Sequence, residues 1–115
     1  MEQSGVRLAF GSDAPVEVPD PLQGIYAAAT RKRRDNTPAG GWHPEETISV
    51  TNAIKAYTSG AAWAAGREKE CGTIEPGKAA DFTMLDHDII AEGPESILET
   101  KVIGTMIAGQ WVYGG

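Results

Sequence analysis

In Val6-Arg7-Leu8-Ala9-Phe10-Gly11-Ser12-Asp13-Ala14-Pro15, three large apolar residues alternate with Arg and Ala and then stop at a Gly-Ser-Asp turn. Period-two alternation over residues 6–10 predicts a short strand. Gly11 and Pro15 end it abruptly, so Asp13 is presented just past the strand's C-terminal end. A carboxylate at such a strand mouth can ligate a metal or act as a general base. It can equally do no more than cap a turn ahead of a proline.

Outward from this stretch the pattern becomes helical. Asp20 is a good N-cap and Pro21 suits the first helical position. Leu22, Ile25, Tyr26 and Ala29 follow at helical spacing, so a helix is expected to run to about Arg33. Residues 35–46 contain Pro38, Gly40, Gly41 and Pro44 and read as a loop, with Trp42 expected to pack somewhere. Ser49 can cap a second helix carrying Val50, Ala53, Ile54 and Tyr57. Thr58 and Gly60 predict a break or re-capping, followed by an Ala-rich helix through Ala65 that Gly66 ends.

From Gly72 the pattern is β. Glu75-Pro76-Gly77-Lys78 is a turn signal. Residues 81–85 read as a strand with Phe82 and Met84 on one face, and residues 86–95 as a loop. Residues 101–107 read as a second strand, Ala108-Gly109 as a two-residue hairpin turn, and residues 110–113 as the return strand. The two-residue period puts Trp111 and Tyr113 on one face, expected to pack inward against Phe82 and Met84, with Val112 on the other.

Composition narrows the function classes. The chain has 115 residues, net charge −6 and a hydrophobic fraction of 41%. Leucine occurs only at Leu8, Leu22, Leu85 and Leu98 while alanine is abundant, so the core is thin. An acidic chain is a poor nucleic-acid binder, because displacing counterions from phosphates needs a basic face. The one basic run, Arg31-Lys32-Arg33-Arg34, reads as a solvated helix end. No window approaches the roughly 18 apolar residues of a membrane span. The lone Cys71 excludes an internal disulfide and fits a reducing compartment, and a cytoplasmic location is the expectation. His43 and His87 lie in different loops without a His-x-His or Glu-x-x-His pairing, and each reads as a solvated loop histidine.

The order of the motifs adds to this. Phe10-Gly11-Ser12-Asp13-Ala14-Pro15, Asp20-Pro21-Leu22-Gln23-Gly24-Ile25-Tyr26-Ala27-Ala28, Ala56-Tyr57-Thr58 with Gly60-Ala61-Ala62, Gly72-Thr73-Ile74-Glu75-Pro76-Gly77-Lys78-Ala79-Ala80-Asp81 with Leu85-Asp86, and Thr105 to Tyr113 succeed one another along nearly the whole chain. This succession resembles the C-terminal part of the amidohydrolase superfamily, in the branch that includes N-substituted formamide deformylase-like proteins. The resemblance implies an α+β chain. Residues 1–70 would be the last strand and following helices of a metal-dependent (β/α)8 barrel, and residues 71–115 the C-terminal strands of a composite β-sandwich. It implies that Asp13 is the Asp after the eighth strand, both a metal ligand and the group that takes the proton from the attacking water. The reaction implied is hydrolysis of a non-peptide C–N bond in a small-molecule substrate, with a divalent metal, zinc by expectation. The family's other ligands, a His-x-His pair, a modified Lys or a Glu, and two further His, have no counterpart here. One carboxylate cannot hold a catalytic zinc, which needs about three protein ligands. No metal and no activity are therefore expected of this chain alone. An unpaired strand at residues 6–10 would also favour self-association. The competing expectation is a freestanding structural or binding module that keeps the sandwich without the chemistry.

Overall fold

A computed structural model describes residues 4–115. Helix α1 (Pro21–Thr30) starts at the expected cap: Asp20 is in the β region and its carboxylate accepts from the Leu22 amide at 3.1 Å. The helix stops three residues sooner than Arg33. The Thr30 hydroxyl donates to the Tyr26 carbonyl and accepts from the Lys32 amide, and Arg31 turns left-handed with φ 57°. The basic run thus lies past the helix and is not simply solvated. Arg31 donates to the Trp42 carbonyl at 3.0 Å and sits over the Trp42 ring, and Lys32 reaches Asn36 at 2.9 Å.

The loop after α1 folds back along it. The Trp42 amide donates to the Arg31 carbonyl, the Ile48 amide to the Ala28 carbonyl, and the Tyr26 hydroxyl to Asn36. A short 3-10 turn (Pro44–Glu46) precedes Ser49, which caps α2 (Val50–Lys55) by accepting from the Asn52 amide.

The expected break at Thr58 and Gly60 is instead a π-helical turn, Ala56–Gly60, running without interruption into α3 (Ala61–Ala64). The cause is local. Thr58 and Ser59 donate their hydroxyls to the Ile54 and Lys55 carbonyls, which engages the acceptors an α-helix would use. The ladder slips by one residue, and the Ala61 amide reaches back to the Ala56 carbonyl. Gly66, with φ 69°, comes after the helix end as its lack of Cβ allows.

Residues 6–10, expected as a strand, are not one. Among the described residues no strand lies beside them, so no ladder can form. The segment is held by the helical layer: the Phe10 amide donates to the Ala56 carbonyl at 3.0 Å. The expected alternation survives in its packing, since Leu8 and Phe10 lie against the core.

That core is built from Ile25, Tyr26, Ile48, Val50 and Ala53 of the helical half together with Ile89 and Ile97 of the C-terminal half. Ile97 comes from a 3-10 helix (Pro94–Leu98) that begins at the end of the expected loop 86–95 and runs past it. Burying side chains of this size stabilises by roughly 1.5–3 kcal/mol each. These few residues therefore outweigh the exposed ion pairs, such as Arg67–Glu70 at 3.0 Å, whose class contributes about 0–1 kcal/mol.

The sheet is an antiparallel meander of β1 (Phe82–Leu85), β2 (Val102–Ile107) and β3 (Gln110–Gly114). The hairpin turns at Ala108-Gly109 as expected, with φ 50° and 79°. The Gly72–Asp81 motif fastens this turn. Asp81 accepts from the Ala108 amide at 2.7 Å and the Gly109 amide donates to the Ala80 carbonyl at 3.0 Å. Upstream, Gly77 has φ 92° and Lys78 pairs with Glu75 at 3.1 Å.

The expected shared face of Trp111 and Tyr113 is overturned. Met106 pairs with Trp111 but Thr105 pairs with Tyr113, so Val112 is an extra residue and the alternation breaks there. Paired residues project to the same face and successive ones to opposite faces, which puts Trp111 and Tyr113 on opposite sides. Trp111 does lie beside Met84, across Gly104: a Cβ on Gly104 would stand 2.9 Å from the Trp111 ring and 3.4 Å from the Met84 sulfur. Neither aromatic is packed inward, with Trp111 47% and Tyr113 60% exposed.

Candidate functional site

Asp13 sits just past the anchored Phe10, in the left-handed region with φ 51°, as the first residue of a turn closed by the Val16 amide donating to its carbonyl at 2.9 Å. Asp tolerates this conformation better than most residues. Its carboxylate is exposed and receives no hydrogen bond or ion pair among the described residues. The turn is therefore closed by backbone alone, and the side chain is not its cap.

One side chain, Tyr57, contacts the chain on either side of the Asp13 turn, at Phe10 and at Gly24. The Tyr57 ring meets Phe10 edge-on, with centroids 5.4 Å apart and planes at 78°. On the other side its hydroxyl lies against Gly24 of α1, where a Cβ would stand 1.8 Å from the oxygen. Burial and the neighbouring Asp20 carboxylate push the Tyr57 phenol above its ordinary pKa of 10.0, so it stays protonated at neutral pH. Beside it opens a groove of about 510 Å³, bounded by Ser12, Asp20, Gln23, Tyr57, Arg33 and Arg34. The groove places hydrogen-bond donors and both signs of charge next to the Asp13 turn. Sequence reasoning assigns Tyr57 only a place on a helix face. The available signal is its position in Ala56-Tyr57-Thr58, directly ahead of a small-residue run that lets another segment approach.

The histidines do not join Asp13. His43, at φ 51°, is exposed; its Nδ1 lies 2.7 Å from Glu45 and its ring meets Trp42 edge-on. His87 lies 3.0 Å from Glu92, whose carboxylate holds its pKa above the ordinary 6.5. Asp86 and Asp88 serve the backbone, accepting from the amides of Lys101, and of Ile90 and Ala91. Among the described residues no three His, Cys, Asp or Glu side chains converge as a metal site. With one candidate ligand, these residues do not by themselves fit a catalytic zinc.

Comparison with known proteins bears on what such a site belongs to. A model of the amidohydrolase family matches residues 1–113. The putative amidohydrolase YtcJ of Bacillus subtilis is 40% identical over 109 residues, covering 95% of this chain and 21% of that protein. The N-substituted formamide deformylase of Arthrobacter pascens is 31% identical over 98% of this chain and 20% of its own length. The 5-methylthioadenosine/S-adenosylhomocysteine deaminase of Symbiobacterium thermophilum is 30% identical over 98% of this chain and 27% of its own length. The chain thus spans about a fifth to a quarter of the relatives it matches. With the family model covering all but its last two residues, the chain belongs to the amidohydrolase family.

Proposed function

We propose that this chain is the C-terminal segment of a metal-dependent hydrolase of non-peptide C–N bonds, and that Asp13 is its reacting carboxylate. The observation that carries this is the state of Asp13: exposed, unpaired among the described residues, and held on a fixed turn at the end of the anchored segment 8–10. A carboxylate left free of structural partners is available to take a proton. The relatives support the bond type, since a formamide deformylase and a deaminase both act at carbon–nitrogen bonds.

In this reading residues 1–70 belong to the barrel and residues 71–115 to the composite sandwich. The exposed apolar side chains of the sheet, Ile103, Ile107, Val112 and Tyr113, are the faces that further strands would cover. The divalent metal, zinc by expectation, would need ligands from beyond the described residues, with Asp13 contributing one. Asp13 would accept the proton of the attacking water, and the groove beside Tyr57 would hold part of a small-molecule substrate.

The test is an assay of the complete polypeptide against an N-substituted formamide, whose hydrolysis gives the amine and formate. Asp13→Asn should lower kcat by at least about 10²-fold, the usual contribution of a positioned base. An Asp13→Asn enzyme with parental kcat would remove Asp13 from the reaction.

A further inference from the structure

The π-turn Ala56–Gly60 is the feature of the helical layer that still lacks a role. Three of its residues touch the segment that leads to Asp13. Ala56 gives its carbonyl to the Phe10 amide at 3.0 Å, although that carbonyl already receives the Ala61 amide. Tyr57 packs edge-on against the Phe10 ring. Gly60 lies under the Leu8 carbonyl, and a Cβ at residue 60 would stand 2.1 Å from that oxygen. The far side of the Tyr57 ring meets α1 at Gly24, beyond the Asp13 turn. The chain from Phe10 to Gly24, which contains Asp13, is therefore pinned at both ends on one side chain.

We propose that this π-turn is the positioning cradle of Asp13, with Tyr57 as its positioning residue; the inference rests on Asp13 being the reacting carboxylate. Slipping the ladder by one residue rotates the downstream residues relative to an α-helix, where each residue turns about 100°. In this register Tyr57 and Gly60 both face residues 8–10. Single π-turns inside helices recur at functional sites, and this one gives up regular hydrogen bonding to hold a segment that has no strand partner among the described residues. Tyr57 acts through Phe10 and not on the reacting atoms.

Two variants test the cradle. Tyr57→Leu removes the ring, and Tyr57→Phe keeps it as the rescue control. Gly60→Ala places a good helix former in the turn, but its Cβ would stand 2.1 Å from the Leu8 carbonyl oxygen and only 3.2 Å from that of Lys55, so the larger displacement falls on residues 8–10. In this chain, amide exchange at Phe10 should speed up by at least about 10-fold in Tyr57→Leu and Gly60→Ala, while the β2–β3 amides and Tyr57→Phe keep parental rates. In the complete polypeptide, the same two variants should lose on the order of 10²-fold in kcat, the scale expected for misplacing a reacting group, and Gly60→Ala, which does not border the groove, should do so at unchanged KM. If Tyr57→Leu does not fold, Gly60→Ala decides. Parental exchange at Phe10 in the folded variants overturns the cradle. Parental kcat beside an inactive Asp13→Asn overturns the positioning role alone, whereas an active Asp13→Asn overturns the Asp13 assignment and this inference with it.

Discussion

Asp13 owes its availability to backbone rather than to side-chain contacts. The Val16 amide closes the turn on the Asp13 carbonyl, and the carboxylate has no partner among the described residues. Asp13→Asn keeps a residue that accepts positive φ and removes only the charge, so chemical denaturation should find it within about 0.5 kcal/mol of the parent. A loss of about 1 kcal/mol or more would mean that the carboxylate holds the turn after all. His87 behaves in the opposite way, as a residue committed to structure. The Glu92 carboxylate raises its pKa, so the folded state binds the proton more tightly than the unfolded state. Its contribution is then fully present below the ordinary value of 6.5 and is lost as pH rises through the folded pKa. NMR titration should place the His87 midpoint above 6.5, and Glu92→Gln should bring it back down. A His87 midpoint that Glu92→Gln leaves unmoved would contradict the pairing. Asp13 can be singled out in the sequence because Gly, Asp and Pro punctuate a chain visibly. The partner of His87 cannot, because the loop that returns Glu92 to it is set by Asp88 binding the Ile90 and Ala91 amides.

Elements whose ends are fixed by neighbouring residues are the legible ones. Asp20 and Ser49 cap their helices as expected, and Ala108-Gly109 makes the expected hairpin turn. Asp20→Ala should cost about 1 kcal/mol in chemical denaturation, because it orphans the Leu22 amide and frees Gln23, which Asp20 also holds at 2.8 Å. Gly109→Val should cost roughly 1 kcal/mol or more through backbone strain alone, since the nearest atom to a Cβ there is 4.0 Å away. A change within about 0.3 kcal/mol in chemical denaturation would show that residue 109 does not need its positive φ. Slips of register are hidden from the sequence. The bulge at Val112 moves Tyr113 to the face opposite Trp111, and the π-turn adds a residue to the helix. Neither changes the apolar pattern over a short window. Both depend on backbone pairings that composition does not encode: the carbonyls that Thr58 and Ser59 engage, and the pairing of Thr105 with Tyr113. The strand expected at residues 6–10 fails for a related reason. Alternation describes which side chains are buried, but a strand also needs a neighbour, and among the described residues there is none.

At the scale of the whole molecule the core is small and much apolar surface stays outside it. Val6, Ile107, Val112 and Tyr113 are all exposed, and β3 is an edge along which every residue is exposed. Exposed edges and apolar side chains favour association. Sedimentation at several loading concentrations should therefore show the isolated chain self-associating, and a single concentration-independent monomer would contradict this. The same surfaces fit a chain that is, as proposed above, the C-terminal part of a larger hydrolase whose other ligands lie upstream. Sequencing the transcript ahead of the Met1 codon tests that proposal most directly. If the chain is that C-terminal part, the reading frame continues upstream and encodes a His-x-His pair and further His ligands. An in-frame stop codon just upstream, with translation starting at Met1, would contradict it.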